Sequence, residues 1–122
     1  MQENAIAIIG VGYVGLPLAV SLAKFQPKVF GYDLDSKRVS ELNSGFDRND
    51  NICNVVPSNL SFTAELVTIK EATTYIITVP TPIDEKRLPD LKPLRQACRD
   101  IAQIISKGDL VICLLYTSPS PR

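Results

Sequence analysis

Gly10, Gly12 and Gly15 follow the apolar run Ala5-Ile6-Ala7-Ile8-Ile9 and lead directly into Leu16-Pro17-Leu18-Ala19. A G-x-G-x-x-G spacing between a strand and a helix points to anion binding by main-chain amides. The first turn of a helix holds N–H groups without intrahelical acceptors, and the aligned peptide dipoles add positive potential there. The three glycines serve different ends, with a tight turn at Gly10, close approach of backbone to phosphate at Gly12, and close packing of helix on strand at Gly15. Pro17 suits a first turn, where a missing donor costs little. The unit reads as a pyrophosphate site of the dinucleotide-binding kind.

The strand Lys28-Val29-Phe30-Gly31-Tyr32 ends at Asp33, about 20 residues beyond the glycines, where this fold places an acid against the adenosine ribose. A carboxylate there accepts hydrogen bonds from ribose hydroxyls. It also repels a 2′-phosphate, by roughly 4 kcal/mol per charge pair at about 4 Å in a partly exposed site. Lys37 and Arg38 could instead receive that phosphate, but they lie a turn into the next helix, so the expected cofactor is NAD rather than NADP. The plainer alternatives are a helix-capping role for Asp33 and a solvated helix face for Lys37 and Arg38.

Strand and helix signals alternate along the rest of the chain. Ser36 can cap a short helix with Val39 and Leu42 on one face, stopped by Asn43-Ser44-Gly45. A polar loop over 46–57 precedes a brief strand at 60–62, a weak helix over 63–71 with Leu66 and Ile69 inward, and a β-branched and aromatic strand over 74–79. The helix expected over 93–106 repeats Leu94, Ala97, Cys98, Ile101, Ala102 and Ile105 on one face. Lys107-Gly108-Asp109 then turns into Leu110-Val111-Ile112-Cys113. This order predicts an α/β fold: a Rossmann-type, doubly wound parallel sheet with right-handed crossovers and strand order 3-2-1-4-5. Ligands then sit outside the carboxyl ends of strands 1 and 4, where the order reverses. Pro80-Thr81-Pro82-Ile83 leaves strand 4 at that point, stiffened by two prolines, with the Thr81 hydroxyl near the expected ribose or phosphate. Its alternative is a rigid loop without a ligand role.

Composition narrows the function classes. The 122 residues suit one domain, and 13 basic residues cancel 13 acidic ones, so no basic footprint argues for nucleic acid or an anionic membrane. No signal core and no long apolar run appears, which makes a cytoplasmic protein the expectation. Cys53, Cys98 and Cys113 form no CxxC pair and read as reduced thiols, with Cys98 on the helical stripe and Cys113 in a strand expected to be buried. The chain has no histidine, which removes the usual hydrolase base and the commonest transition-metal ligand; no metal site is expected.

The Gly10-Val11-Gly12-Tyr13-Val14-Gly15-Leu16-Pro17-Leu18-Ala19 turn, Gly31-Tyr32-Asp33 with Arg38, Val79-Pro80-Thr81-Pro82 and Pro89-Asp90-Leu91 together resemble the N-terminal domain of the UDP-sugar 6-dehydrogenases. The resemblance is strongest to the branch that oxidises UDP-N-acetylhexosamines for surface polysaccharides, and it covers about residues 6–112. It implies NAD-dependent, two-step oxidation of a sugar C6 alcohol to a carboxylate. It also implies that Tyr13 and Val14 lie along the pyrophosphate, Asp33 holds the adenosine ribose, Arg38 packs at the adenosine end and Thr81 lines the cofactor loop. A nucleotide-sugar substrate and a homo-oligomeric state are implied for the full-length enzyme only.

In that family the nucleophilic cysteine and its supporting residues lie beyond the equivalent of residue 122, so no catalytic residue is expected here. The expected domain is 1–113, an incomplete NAD-binding unit, followed by a disordered, non-family tail at 114–122 from a truncated or frame-shifted gene. Strand 5 should be a bare edge, favouring association. Two other readings share the glycine turn: a β-hydroxyacid-type NAD dehydrogenase, where Met would be expected in place of Val14, and a non-catalytic nucleotide-sensing module, which Tyr13 and the 79–82 loop disfavour.

Overall fold

The computed structural model describes residues 4–12, 14–44, 56–80 and 86–114. Gly45, Cys53, most of the 46–57 loop, and 115–122 of the expected tail therefore lie outside the described residues. Among those described, the elements run β1 (Ala5–Ile9), α1 (Gly15–Ala23), β2 (Lys28–Tyr32), α2 (Ser36–Asn43), β3 (Leu60–Thr63), α3 (Leu66–Ile69), β4 (Thr74–Ile77), α4 (Lys92–Ala102) and β5 (Leu110–Cys113). The five strands form one parallel sheet in the order β3-β2-β1-β4-β5, as the alternation of signals requires.

β1 is flanked on both sides and covered on both faces, which is why its five residues are all apolar. Side-chain alternation sends Ala5, Ala7 and Ile9 to one face, with Phe30, Tyr32, Tyr75 and Ile77 from the neighbouring strands. Ile69 of α3 and Ala97 and Ile101 of α4 close that layer. Ile8 points the other way, to Val29, Phe62 and Ile76, beneath Ala19 and Ala23 of α1 and Val39 and Leu42 of α2. Each such fully buried aliphatic side chain contributes roughly 1.5–3 kcal/mol. The small Ala5 and Ala7 leave room for the aromatic rings, and the Tyr75 hydroxyl donates to the carbonyls of Ile69 and Lys70 (3.3 and 3.4 Å), satisfying the end of the short α3.

α2 is capped differently from the sequence expectation. Asp35, one residue earlier than Ser36, has extended backbone geometry, and its carboxylate accepts from the Lys37 and Arg38 amides. A carboxylate reaches both amides and complements the helix dipole, which a seryl hydroxyl does less well.

The apolar stripe of α4 is also rotated from its expected phase. Leu94, Ala97, Ile101 and Ile104 pack inward and Asp100 is buried, whereas Cys98, Ala102 and Ile105 are exposed. α4 seats over β4. Cys113, on the exposed β5, is exposed too, so both cysteines expected inside lie outside.

Among the described residues β5 pairs only with β4, and Leu110, Val111 and Ile112 are 54, 41 and 37 % exposed. A strand bare on both faces with one unpaired edge is a template for association. Sedimentation velocity of the 122-residue chain should show mass increasing with concentration, and Ile112→Lys should shift the boundary toward monomer. A wild-type monomer at every concentration would contradict this.

Candidate functional site

In the parallel register Ile9 lies opposite Ile77, so β1 and β4 end side by side. α1 covers one face of the sheet and α4 the other, and at those carboxyl ends a crevice opens between the glycine turn, the segments that follow β2 and β4, and α4. The glycine turn occupies its rim. Gly10 has φ +96°, a conformation costly for any side chain, and a Cβ there would also stand 3.0 Å from Val79 Cγ1. A Cβ at Gly15 would collide with the Gly10 carbonyl oxygen and stand 2.5 Å from Thr78 Oγ1. At Gly12 a Cβ would meet nothing within 4 Å: the backbone is bare toward the crevice. α1 starts at Gly15 with Val14 as N-cap and no side-chain cap; the Leu16 amide donates to the Gly12 carbonyl at 3.1 Å and Pro17 has no N–H, so the amides of Val14 and Gly15 are the ones turned to an outside acceptor.

The turn is held from three directions. Thr78 Oγ1 donates to the Gly10 carbonyl at 2.6 Å. The Arg38 guanidinium donates twice to the Val11 carbonyl, from Nε at 3.0 Å and Nη2 at 2.8 Å. Asp33 Oδ2 accepts from the Val11 amide at 3.1 Å while Oδ1 accepts from the Asp35 amide at 3.0 Å. Arg38 is only 6 % exposed, so its bonds to the Val11 carbonyl operate away from water, and a charge-assisted bond of this kind contributes roughly 1.5–3 kcal/mol. Lys37, by contrast, is exposed. The solvated-face alternative thus describes Lys37 but not Arg38, and α2 is capped by Asp35 rather than Asp33.

The crevice has a volume of about 460 Å³ and runs from Gly10 and Gly12 past Asp33 to α4. Its deep end carries a polar group that the sequence pattern did not reveal. Tyr32 Oη donates to Asp100 Oδ2 at 3.3 Å, and Gln96 Nε2 donates to Asp100 Oδ1 at 2.9 Å. Burial, then the charge of Asp100 and its hydrogen bond, with smaller contributions from Asp33 and Glu65, push the Tyr32 phenol up to about 12. A signal for Asp100 did exist: it is a charge set among the inward residues Ala97 and Ile101 of α4. Thr78, also missed, is the polar residue that ends a β-branched run.

Of the residues singled out by sequence, the structure gathers Gly10, Gly12, Val14, Gly15, Asp33 and Arg38 at one end of the sheet. Arg38 reaches the turn through Val11. Tyr13 and Thr81 lie outside the described residues. Bare backbone at Gly12, an uncapped helix start and a carboxylate at the crevice wall fit a dinucleotide such as NAD.

The chain is similar in sequence and fold to known proteins. The model for the NAD-binding domain of the UDP-glucose/GDP-mannose dehydrogenase family matches residues 4–119, reaching past the boundary at 113 expected from sequence. The chain is 42 % identical over 115 residues to UDP-N-acetyl-D-glucosamine 6-dehydrogenase of Pseudomonas aeruginosa, covering 92 % of this chain and 27 % of that protein. It is 36 % identical over 123 residues to UDP-N-acetyl-D-mannosamine dehydrogenase of Escherichia coli K12, covering 98 % and 29 %. Among solved structures, a UDP-D-ManNAc dehydrogenase from Pyrococcus horikoshii superposes with a TM-score of 0.80 at 30 % identity, over 91 % of this chain and 28 % of that one. The chain thus spans less than a third of the length of these relatives.

Two measurements test the geometry. Thr78→Val leaves the Gly10 carbonyl without its hydroxyl donor and should lower stability by about 1–2 kcal/mol in urea unfolding, against no change if that bond is dispensable. The Tyr32 phenol should ionise near 12, read by tyrosinate absorbance against Tyr32→Phe. Between the ordinary value of 10.0 and about 12, the folded form keeps a proton that the unfolded form has released. The stability from Tyr32 is therefore complete below pH 10.0 and declines as pH rises toward 12. Ionisation of Tyr32 near 10 with flat stability across that window would contradict the Tyr32–Asp100 contact.

Proposed function

This chain belongs to the UDP-glucose/GDP-mannose dehydrogenase family, and we propose that it is the NAD-binding portion of a nucleotide-sugar 6-dehydrogenase. The observation that supports this best is the convergence of the bare Gly12 backbone and Asp33 on one crevice, with the uncapped start of α1 following Gly12 in the chain. When bound, NAD supplies the hydride acceptor for oxidation of a sugar C6 alcohol. The protein groups bind and orient it.

In this reading the amides at Gly12, Val14 and Gly15 meet the diphosphate, with Tyr13 alongside. Asp33 receives the hydroxyls of the adenosine ribose while its contact with the Val11 amide keeps ribose and diphosphate positions at a fixed separation. Arg38 acts as a positioning residue, because its guanidinium is spent on the Val11 carbonyl at the adenosine end of the crevice. Thr81 follows Pro80, which lines the crevice, and is proposed to meet the cofactor from the β4 side. The nucleotide-sugar substrate, the nucleophile that carries the reaction beyond the alcohol and the assembly of the whole enzyme are assigned to the family's further length. By itself the 122-residue chain is proposed to bind NAD without oxidising a sugar.

Calorimetric titration tests this directly. NAD should bind, and NADP should bind at least about tenfold more weakly, because its 2′-phosphate would face Asp33. Asp33→Ala should weaken NAD and erase the preference. Mixing the chain with NAD and UDP-N-acetylhexosamines should give no absorbance from NADH. A preference for NADP, unchanged NAD affinity in Asp33→Ala, or NADH formation would each overturn part of the assignment.

A further inference from the structure

Besides the glycine turn and Asp33, the crevice is lined by Leu34, Val79, Pro80 and Pro93 and by the polar Gln96 and Asp100 of α4. If the diphosphate lies at Gly12 and the ribose at Asp33, the component of a dinucleotide that meets these residues is its purine base. The apolar walls suit a flat ring but do not distinguish one purine from another. Any discrimination has to come from the two polar groups.

Asp100 is 5 % exposed, and its two oxygens are occupied by Tyr32 Oη and Gln96 Nε2. Burying a carboxylate on the inward stripe of a helix costs free energy unless its hydrogen bonds are made, and here both are. A carboxylate only accepts, so it compels the Gln96 carboxamide to turn its nitrogen inward. The amide oxygen, on the other arm of the carboxamide, is the acceptor left to a molecule in the crevice. We infer that Gln96, oriented by Asp100, selects adenine: its carbonyl accepts from an exocyclic amine and repels an exocyclic carbonyl at the same place. Gln96 is the specificity-determining residue and Asp100 the positioning one. The inference rests on the NAD reading above and goes beyond it, because the glycine turn and Asp33 are indifferent to the base.

The test compares NAD with nicotinamide hypoxanthine dinucleotide, which differs by an oxo group in place of the 6-amino group, on the 122-residue chain by calorimetry. Wild type should favour NAD about tenfold, the usual effect of one hydrogen bond. Gln96→Met keeps the length, drops the acceptor and should lose most of that preference. Asp100→Asn, whose amide can donate as well as accept, frees Gln96 to turn and should reduce the preference with little change in NAD affinity. A merely structural role for Asp100 would weaken both dinucleotides alike. If Asp100→Asn does not fold, Gln96→Met decides. Equal binding of the two dinucleotides by wild type, or a preference that survives Gln96→Met, overturns the inference and leaves the NAD reading intact. Binding of neither overturns both.

Discussion

The backbone of Val11 is gripped from both sides, its amide by Asp33 and its carbonyl by Arg38, and the site depends on that grip. Val11 sits between Gly10, which needs a positive φ, and Gly12, whose bare backbone faces the crevice. The Val11 side chain is buried in the core, but the glycines on either side have none to pack, so the path of the turn is fixed also by hydrogen bonds from outside. Three of these come from the segment after β2: one from Asp33, which follows the strand, and two from Arg38, placed on α2 by the Asp35 cap. Thr78, just after β4, supplies a fourth. The loop that would bind phosphate is therefore wired to both strands that flank β1.

That wiring follows from the topology. Because β2 and β4 lie on either side of β1 and all three run parallel, their carboxyl ends meet at one place. The helices after β1 and β4 leave to opposite faces, opening the crevice where the chain has no other use for the space. Asp33 has two roles in this arrangement. It stabilises the turn through Val11, and it keeps acceptor capacity at the crevice wall. The same side chain thus couples the shape of the turn to the proposed recognition of the ribose.

Much of this was legible in the residues themselves. β1 coincides with its apolar run because a parallel strand buried between neighbours has to be apolar throughout, β2 and β5 coincide with the runs read for them although β2 opens on Lys28 and β5 is exposed, and the glycine spacing marks the turn for steric reasons that the collisions at Gly10 and Gly15 make concrete. What escaped depended on partners distant in sequence. The burial of Arg38, a cation on a surface-like helix, goes with its contact to the carbonyl of Val11, 27 positions away. The phase of α4 could not be read from periodicity because Cys98, Ala102 and Ile105 are as apolar as their inward neighbours; the seat over β4 decides which flank is covered. Asp100 was hidden by the same rotation, its partner Tyr32 lying 68 positions earlier. Long-range polar contacts of this kind have no local pattern.

The claim that the glycine turn grips a diphosphate is tested most directly by titrating 15N-labelled protein with ADP-ribose and following backbone amide resonances. The account predicts that the largest shifts fall on Gly12, Val14 and Gly15, together with Asp33. Binding that leaves those amides unmoved and shifts residues elsewhere on the sheet, or no binding at all, would contradict it.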